Sequence, residues 1–186
     1  MNLYLQELKR NRKNLSIWSA IVVGFTLMVT AIFPYMAEMG DGITALMDSI
    51  PPELGKALGM DAETWSSILG FYSTYYGVYI IVLVSIYTAS TGAGIISKEE
   101  KDGTSEFLLT RPISRKTVVF TKLMSLYTLT MMIFSIQVIT ALISVYFFAV
   151  AEVDWSVFFQ MHFSGLILVL FFTCLLYTSP SPRDSR

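Results

Sequence analysis

The side chains able to do chemistry are few and far apart. The chain has one His and one Cys among 186 residues. His162 stands beside Gln160 near the start of a long apolar stretch. A lone imidazole has no companion ligands for zinc, and no Ser or Cys lies at a spacing suited to nucleophilic catalysis. His162 therefore reads as a polar residue at the edge of that stretch, and no catalytic or metal site is predicted. No G-x-x-x-x-G-K-[ST] run is present, so the chain has no phosphate-cradling loop, and Gly40-Asp41-Gly42 is a turn signal only. Gln137 sits deep in another apolar stretch, where an amide joins helices by a hydrogen bond more often than it binds a substrate. The one segment dense in functional residue types is 98–122, KEEKDGTSEFLLTRPISRKTVVFTK.

The elements that position these residues follow from composition. Apolar residues make up 54% of the chain, charged residues only 15%, and mean hydropathy is +0.59; a soluble domain has about 25% charged residues. With 13 basic and 14 acidic side chains there is no basic surplus to hold a nucleic-acid backbone. Charges are also absent from long windows: Lys13 to Glu38, Glu63 to Lys98, Lys122 to Glu152, and Asp154 to Arg183. Each window exceeds the roughly 20 residues that a helix needs to cross about 30 Å of hydrocarbon. Helices are required, because an open strand leaves backbone groups unpaired in lipid. The expectation is an all-α polytopic membrane protein with four transmembrane helices, at 15–35, 76–97, 123–149 and 157–173. The first window is a retained anchor: its apolar run, Ile17 to Phe33, is longer than a signal-peptide core and no Ala-x-Ala site follows.

Lysine and arginine set the orientation. Lys9, Arg10, Arg12 and Lys13 precede the first span, and Lys98, Lys101, Arg111, Arg115, Lys116 and Lys122 lie between the second and third. The loop between the first and second spans has Lys56 alone, against Glu38, Asp41, Asp48, Glu53, Asp61 and Glu63. The positive-inside rule places an interfacial helix at 1–14 and the loop 98–122 in the cytoplasm, and loops 36–75 and 150–156 outside. Tyr72, Tyr75, Tyr76 and Tyr79 then fall near the outer boundary, where a ring in lipid and a hydroxyl in water are both satisfied. In the second span Ser85, Ala89 and Ala93 recur at four-residue spacing, with Ser90 and Gly94 as a parallel row. Small residues so placed let helix backbones approach in lipid, within this chain or with another subunit.

The cytoplasmic loop has its own punctuation. Gly103 breaks the helix leaving the second span. Thr104 or Ser105 caps a new short helix, with Glu106 opposing its dipole. Phe107, Leu108 and Leu109 make that helix apolar, Pro112 ends it, and Ser114 caps the third long helix. A solvated loop gains nothing from Phe-Leu-Leu, so the short helix lies on the membrane surface or docks into a partner.

At these residues the sequence resembles the type-2 exporter permeases of the ATP-binding-cassette (ABC) family. There an acidic pair is followed by Gly-Thr-x-Glu, two Leu, then Pro-Ile-Ser-Arg and a later Lys. Here the pattern is Glu99, Glu100, Gly103, Thr104, Glu106, Leu108, Leu109, Pro112, Ile113, Ser114, Arg115 and Lys122. The resemblance covers about residues 1–172. It implies six spans, a dimer of permeases, and a separate ABC ATPase subunit that binds ATP and Mg and touches this loop; the permease itself then holds no cofactor and is no enzyme. It implies a bacterial or archaeal plasma membrane. Residues 174–184, CLLYTSPSPRD, resemble a translated transposase-type sequencing adapter. That likeness implies that 174–186 is an artefact, that Cys174 carries no redox or metal meaning, and that the natural chain continues past Thr173. Three rival readings stand beside this one. An ion-coupled carrier lacks support because no Asp, Glu, Lys or Arg lies inside a span; a membrane-embedded enzyme lacks a His/Asp/Glu cluster; a structural subunit without transport is the third.

Overall fold

The structure, a computed structural model, describes residues 3–40, 42, 45, 49–58, 62–101 and 115–178. Gly103, Thr104, Glu106, Phe107, Leu108, Leu109, Pro112 and Ser114 lie outside the described residues, as do 179–186 of the tail.

Helix α1 runs unbroken over Leu3–Met39, so the expected interfacial helix and first span are one rod. Its buried side chains, among them Leu15, Val22, Val29 and Phe33, recur at helical spacing. Its other face exposes Ile17, Ile21, Met28 and Ile32. From Ile17 to Phe33 the helix carries no charge and is largely apolar on both faces, and such a stretch does not belong in water. The outer loop contributes the short helices α2 (Pro52–Leu58) and α3 (Ala62–Trp65).

The second span begins at α4 (Ile68–Tyr75), inside the charge-free window but earlier than the expected start at 76. The Ser67 hydroxyl fixes this start by accepting the Gly70 N–H at 3.1 Å. Glycine is needed at 70, because a Cβ there would run into the Thr64 carbonyl of α3. A π turn, Tyr76–Ile80, carries the helix on into α5 (Ile81–Lys101). That wide turn holds more residues than an α turn, so buried Tyr72, Tyr76, Ile80 and Val84, four residues apart, stay on one face rather than drifting around it.

Helices α6 (Arg115–Phe148) and α7 (Trp155–Thr178) complete the bundle. Asp154 caps α7, its Oδ1 accepting the Ser156 N–H at 2.9 Å. Buried threonines such as Thr30, Thr88 and Thr173 donate to carbonyls one turn back, which satisfies them without water. Helix α1 lies along α6, α5 along α7, and α5 also meets α6. The core between them holds Val22, Phe71, Tyr87, Leu129, Ile133 and Val145. Outward, α6 and α7 present Phe120, Ile139, Phe147, Phe163 and Phe171. Four helical segments are long and apolar enough to cross a membrane: Leu3–Met39, Ile68–Gly94, Thr117–Phe148 and Trp155–Cys174. The protein is a polytopic all-α membrane protein, with no strand among the described residues.

Candidate functional site: the two ends of the bundle

At one end, α5 closes at Lys101 and α6 opens at Arg115. The segment that carries the Phe-Leu-Leu run is thus strung between two long rods. Glu99 and Glu100 belong to the last turn of α5, and Arg115 is the first residue of α6.

The same end is braced by a polar seam that the sequence reading passed over. Glu7, Asn11 and Asn14 share one face of α1. Glu7 is buried and accepts from Arg10 Nη2 at 2.8 Å through Oε1. Asn11 Nδ2 donates to the Glu7 carbonyl at 3.0 Å. Asn14 Nδ2 reaches across to Thr91 Oγ1 of α5 at 3.1 Å, and the Tyr4 and Thr128 hydroxyls join α1 to α6 at 2.9 Å. Lys122 of α6 is also buried here. The N-terminal third of α1 is therefore bonded to both helices that bracket the loop. The 4, 3 spacing of Glu7, Asn11 and Asn14 was the available signal.

The small-residue rows of the second span sit toward the outside. Ser90 and Ala93 are exposed, while Ser85, Ala89 and Gly94 are half-buried. The close approach of α5 to α6 uses Gly92 instead, where a Cβ would stand 3.2 Å from Leu126 Cδ2.

At the opposite end the second, third and fourth spans meet at one hydroxyl. Gln137 Nε2 donates to Tyr72 Oη at 2.7 Å. Tyr72 Oη lies 3.3 Å from His162 Nε2, and His162 Nδ1 lies 2.8 Å from the Phe158 carbonyl. A carbonyl only accepts, so Nδ1 carries a proton. In the neutral ring Nε2 is then the acceptor, and Tyr72 donates to it. The Phe158 and Tyr76 rings close over the imidazole with centroids 4.2 and 4.7 Å away. The Tyr76 ring lies directly against Gly165, where any Cβ would collide with it.

This arrangement corrects two expectations and bears out a third. His162 is not a boundary residue: it is 3% exposed. Tyr72 and Tyr76 do not reach water either; both are buried, while Tyr75 is half-buried and Tyr79 exposed. Gln137 does join two spans by a hydrogen bond. Gln137 Oε1 and Tyr76 Oη are buried without a hydrogen-bond partner among the described residues.

Just beyond this network is a cavity of about 360 Å³. Its lining includes Ile68, Ser73, Glu152, Asp154, Phe158 and Met161. Phe158 thus connects the cavity to the imidazole. Among the described residues no group of three or more His, Cys, Asp or Glu could hold a metal ion.

Residues 1–179 match the family described as ABC-2 family transporter protein, which is nearly the whole chain. No curated protein and no solved structure matches it. The chain belongs to the ABC-2 transporter family.

Proposed function

We propose that this ABC-2 family permease exports its substrate across a bacterial or archaeal plasma membrane, driven by a separate ATPase that docks on residues 98–122. The observation that carries the reading is the family match over residues 1–179. The position of the docking segment supports it: the loop joins the ends of α5 and α6, so force applied there acts directly on the second and third spans.

The work is divided as follows. The ATPase binds ATP and Mg; the permease supplies the path. In this reading Phe107, Leu108 and Leu109 enter a groove of the ATPase, and Glu106 fixes the start of the short helix that the sequence predicts or pairs with a basic residue there. Each such side chain gains roughly 1.5–3 kcal/mol when covered. Closure of the ATPase on nucleotide favours one permease conformation over the other, and only that difference in affinity shifts the equilibrium. Two permeases assemble, with the ten Lys and Arg of the N-terminus and the 98–122 loop on the cytoplasmic side.

The experiment is a double substitution, Leu108→Asp with Leu109→Asp. The variant is expected to insert normally yet to lose the ATPase that co-purifies with the wild-type chain, and transport with it. A variant that keeps both would make this segment a membrane-surface helix and remove the docking role.

A further inference from the structure

His162 is the only histidine in the chain, and the proposed transport cycle makes no use of it. Its surroundings are specific. Every hydrogen-bond or ring contact it makes is to Tyr72, Tyr76 or Phe158. Among the described residues no charged side chain makes such a contact with it: the second span offers Tyr72 and Tyr76, α6 offers Gln137 one bond further on, and α1 makes none of these contacts. Along its own helix the next acid is the capping Asp154, about 12 Å away at 1.5 Å per residue.

The chain of bonds has a direction. In the neutral state Gln137 donates to Tyr72, Tyr72 donates to His162 Nε2, and Nδ1–H donates to the Phe158 carbonyl. A proton arriving at Nε2 turns that atom from acceptor to donor. Tyr72 Oη must then accept from it, and the tyrosine proton needs a new acceptor. One is at hand. Gln137 Oε1 is fully buried and has no partner among the described residues. Rotation of the amide by half a turn brings it to the place now held by Nε2, 2.7 Å from Tyr72 Oη. The same heavy-atom positions then serve a chain running the opposite way: His162 to Tyr72 to Gln137. The neighbouring cavity is lined by Phe158, whose ring packs on the imidazole, together with Glu152 and Asp154, so titratable carboxyl groups share the cavity that lies next to this site.

We propose that His162 is a proton-binding site, and that protonation reverses the hydrogen-bond chain through Tyr72 to Gln137. The proton's arrival is thereby relayed from the fourth span, across the second, to α6. This site stands on its own geometry and holds whether or not residues 98–122 dock an ATPase.

Because the chain has a single histidine, its ¹⁵N resonances in a labelled, bilayer-reconstituted sample need no assignment by mutation. Protonation of Nε2 is read directly from them as pH is varied. The decisive variant is Gln137→Leu, which removes the acceptor that the protonated state needs. The reversal predicts that the variant titrates lower than the wild-type chain, by up to about one pH unit: the protonated state loses the acceptor for the tyrosine proton, whereas the neutral state loses only an extra donor to a hydroxyl already bonded to His162. A chain of fixed direction predicts the opposite sign, since the glutamine then supports only the neutral ring. A midpoint that rises or stays in place overturns the proposal, as does an imidazole that takes up no proton between pH 4 and 9. Should Gln137→Leu fail to insert, Gln137→Met makes the same test with an unbranched side chain. In a Tyr72→Phe background the substitution should no longer move the midpoint; if it still does, Gln137 acts through local polarity and the relay is wrong.

Discussion

Tyr72→Phe should destabilise the bundle more than its single lost oxygen implies. The substitution keeps the ring, so packing against Tyr76 and His162 survives. Two bonds go. The one from Gln137, at 2.7 Å, has good geometry and carries most of the energy; the one to His162, at 3.3 Å, is long and carries less. Interhelical bonds in membranes are worth roughly 0.6–2 kcal/mol, and the glutamine amide is left buried with neither end paired, which adds a desolvation cost. The total expected is about 1–3 kcal/mol. Gln137→Leu should cost less, at most about 1 kcal/mol, because it removes the orphaned Oε1 together with the bond. The double variant should be no worse than Tyr72→Phe alone, since the leucine takes away the amide that the phenylalanine strands. The assay is unfolding in mixed micelles by added dodecyl sulfate, followed by tryptophan fluorescence and treated as a double-mutant cycle. Additive costs, or a Tyr72→Phe variant within about 0.5 kcal/mol of wild type, would refute the claim that the three spans are joined through this hydroxyl.

Gly165→Ala should destabilise by about 1–3 kcal/mol through overpacking, because Tyr76 fills the place of the new methyl group; Tyr76→Phe on top should recover part of the loss in the same assay. With Cys174 replaced by Ser, an impermeant thiol reagent applied to intact cells should label Glu152→Cys and leave Lys101→Cys unlabelled; the reverse pattern would invert the topology and place the 98–122 loop outside.

How far the sequence could be read depended on which forces it records locally. Charges excluded from lipid leave gaps that show in a single chain, so all four spans were visible. The helix ends were not, because helices run on past the hydrocarbon. Windows bounded by Lys13 and Glu63 find where charge stops, whereas α1 begins at Leu3 and the second span at Ile68. The π turn at Tyr76–Ile80 has no residue type that announces it. Its effect shows only in three dimensions, where it keeps buried Tyr72, Tyr76 and Ile80 on one face.

His162 shows the same limit from another side. Taken alone, an imidazole seven residues into an apolar helix near its outer end is a boundary residue. Its burial is decided by Gln137 and Tyr72, and the Tyr72 contacts span sequence separations of 65 and 90 residues. Yet the ingredients were legible. The second, third and fourth spans each bring one of these polar side chains to the same level of the bundle. A polar group at that depth is costly unless it meets another at the same depth. Matching depth between neighbouring spans, rather than spacing along one span, is the rule that joins Tyr72, Gln137 and His162. Applied to the other end, it joins Asn14 to Thr91 and Tyr4 to Thr128. The bundle thus carries apolar packing through its middle and hydrogen bonds near both mouths. Directional bonds of this kind can exchange partners at little net cost, whereas a close-packed apolar core cannot deform without opening voids.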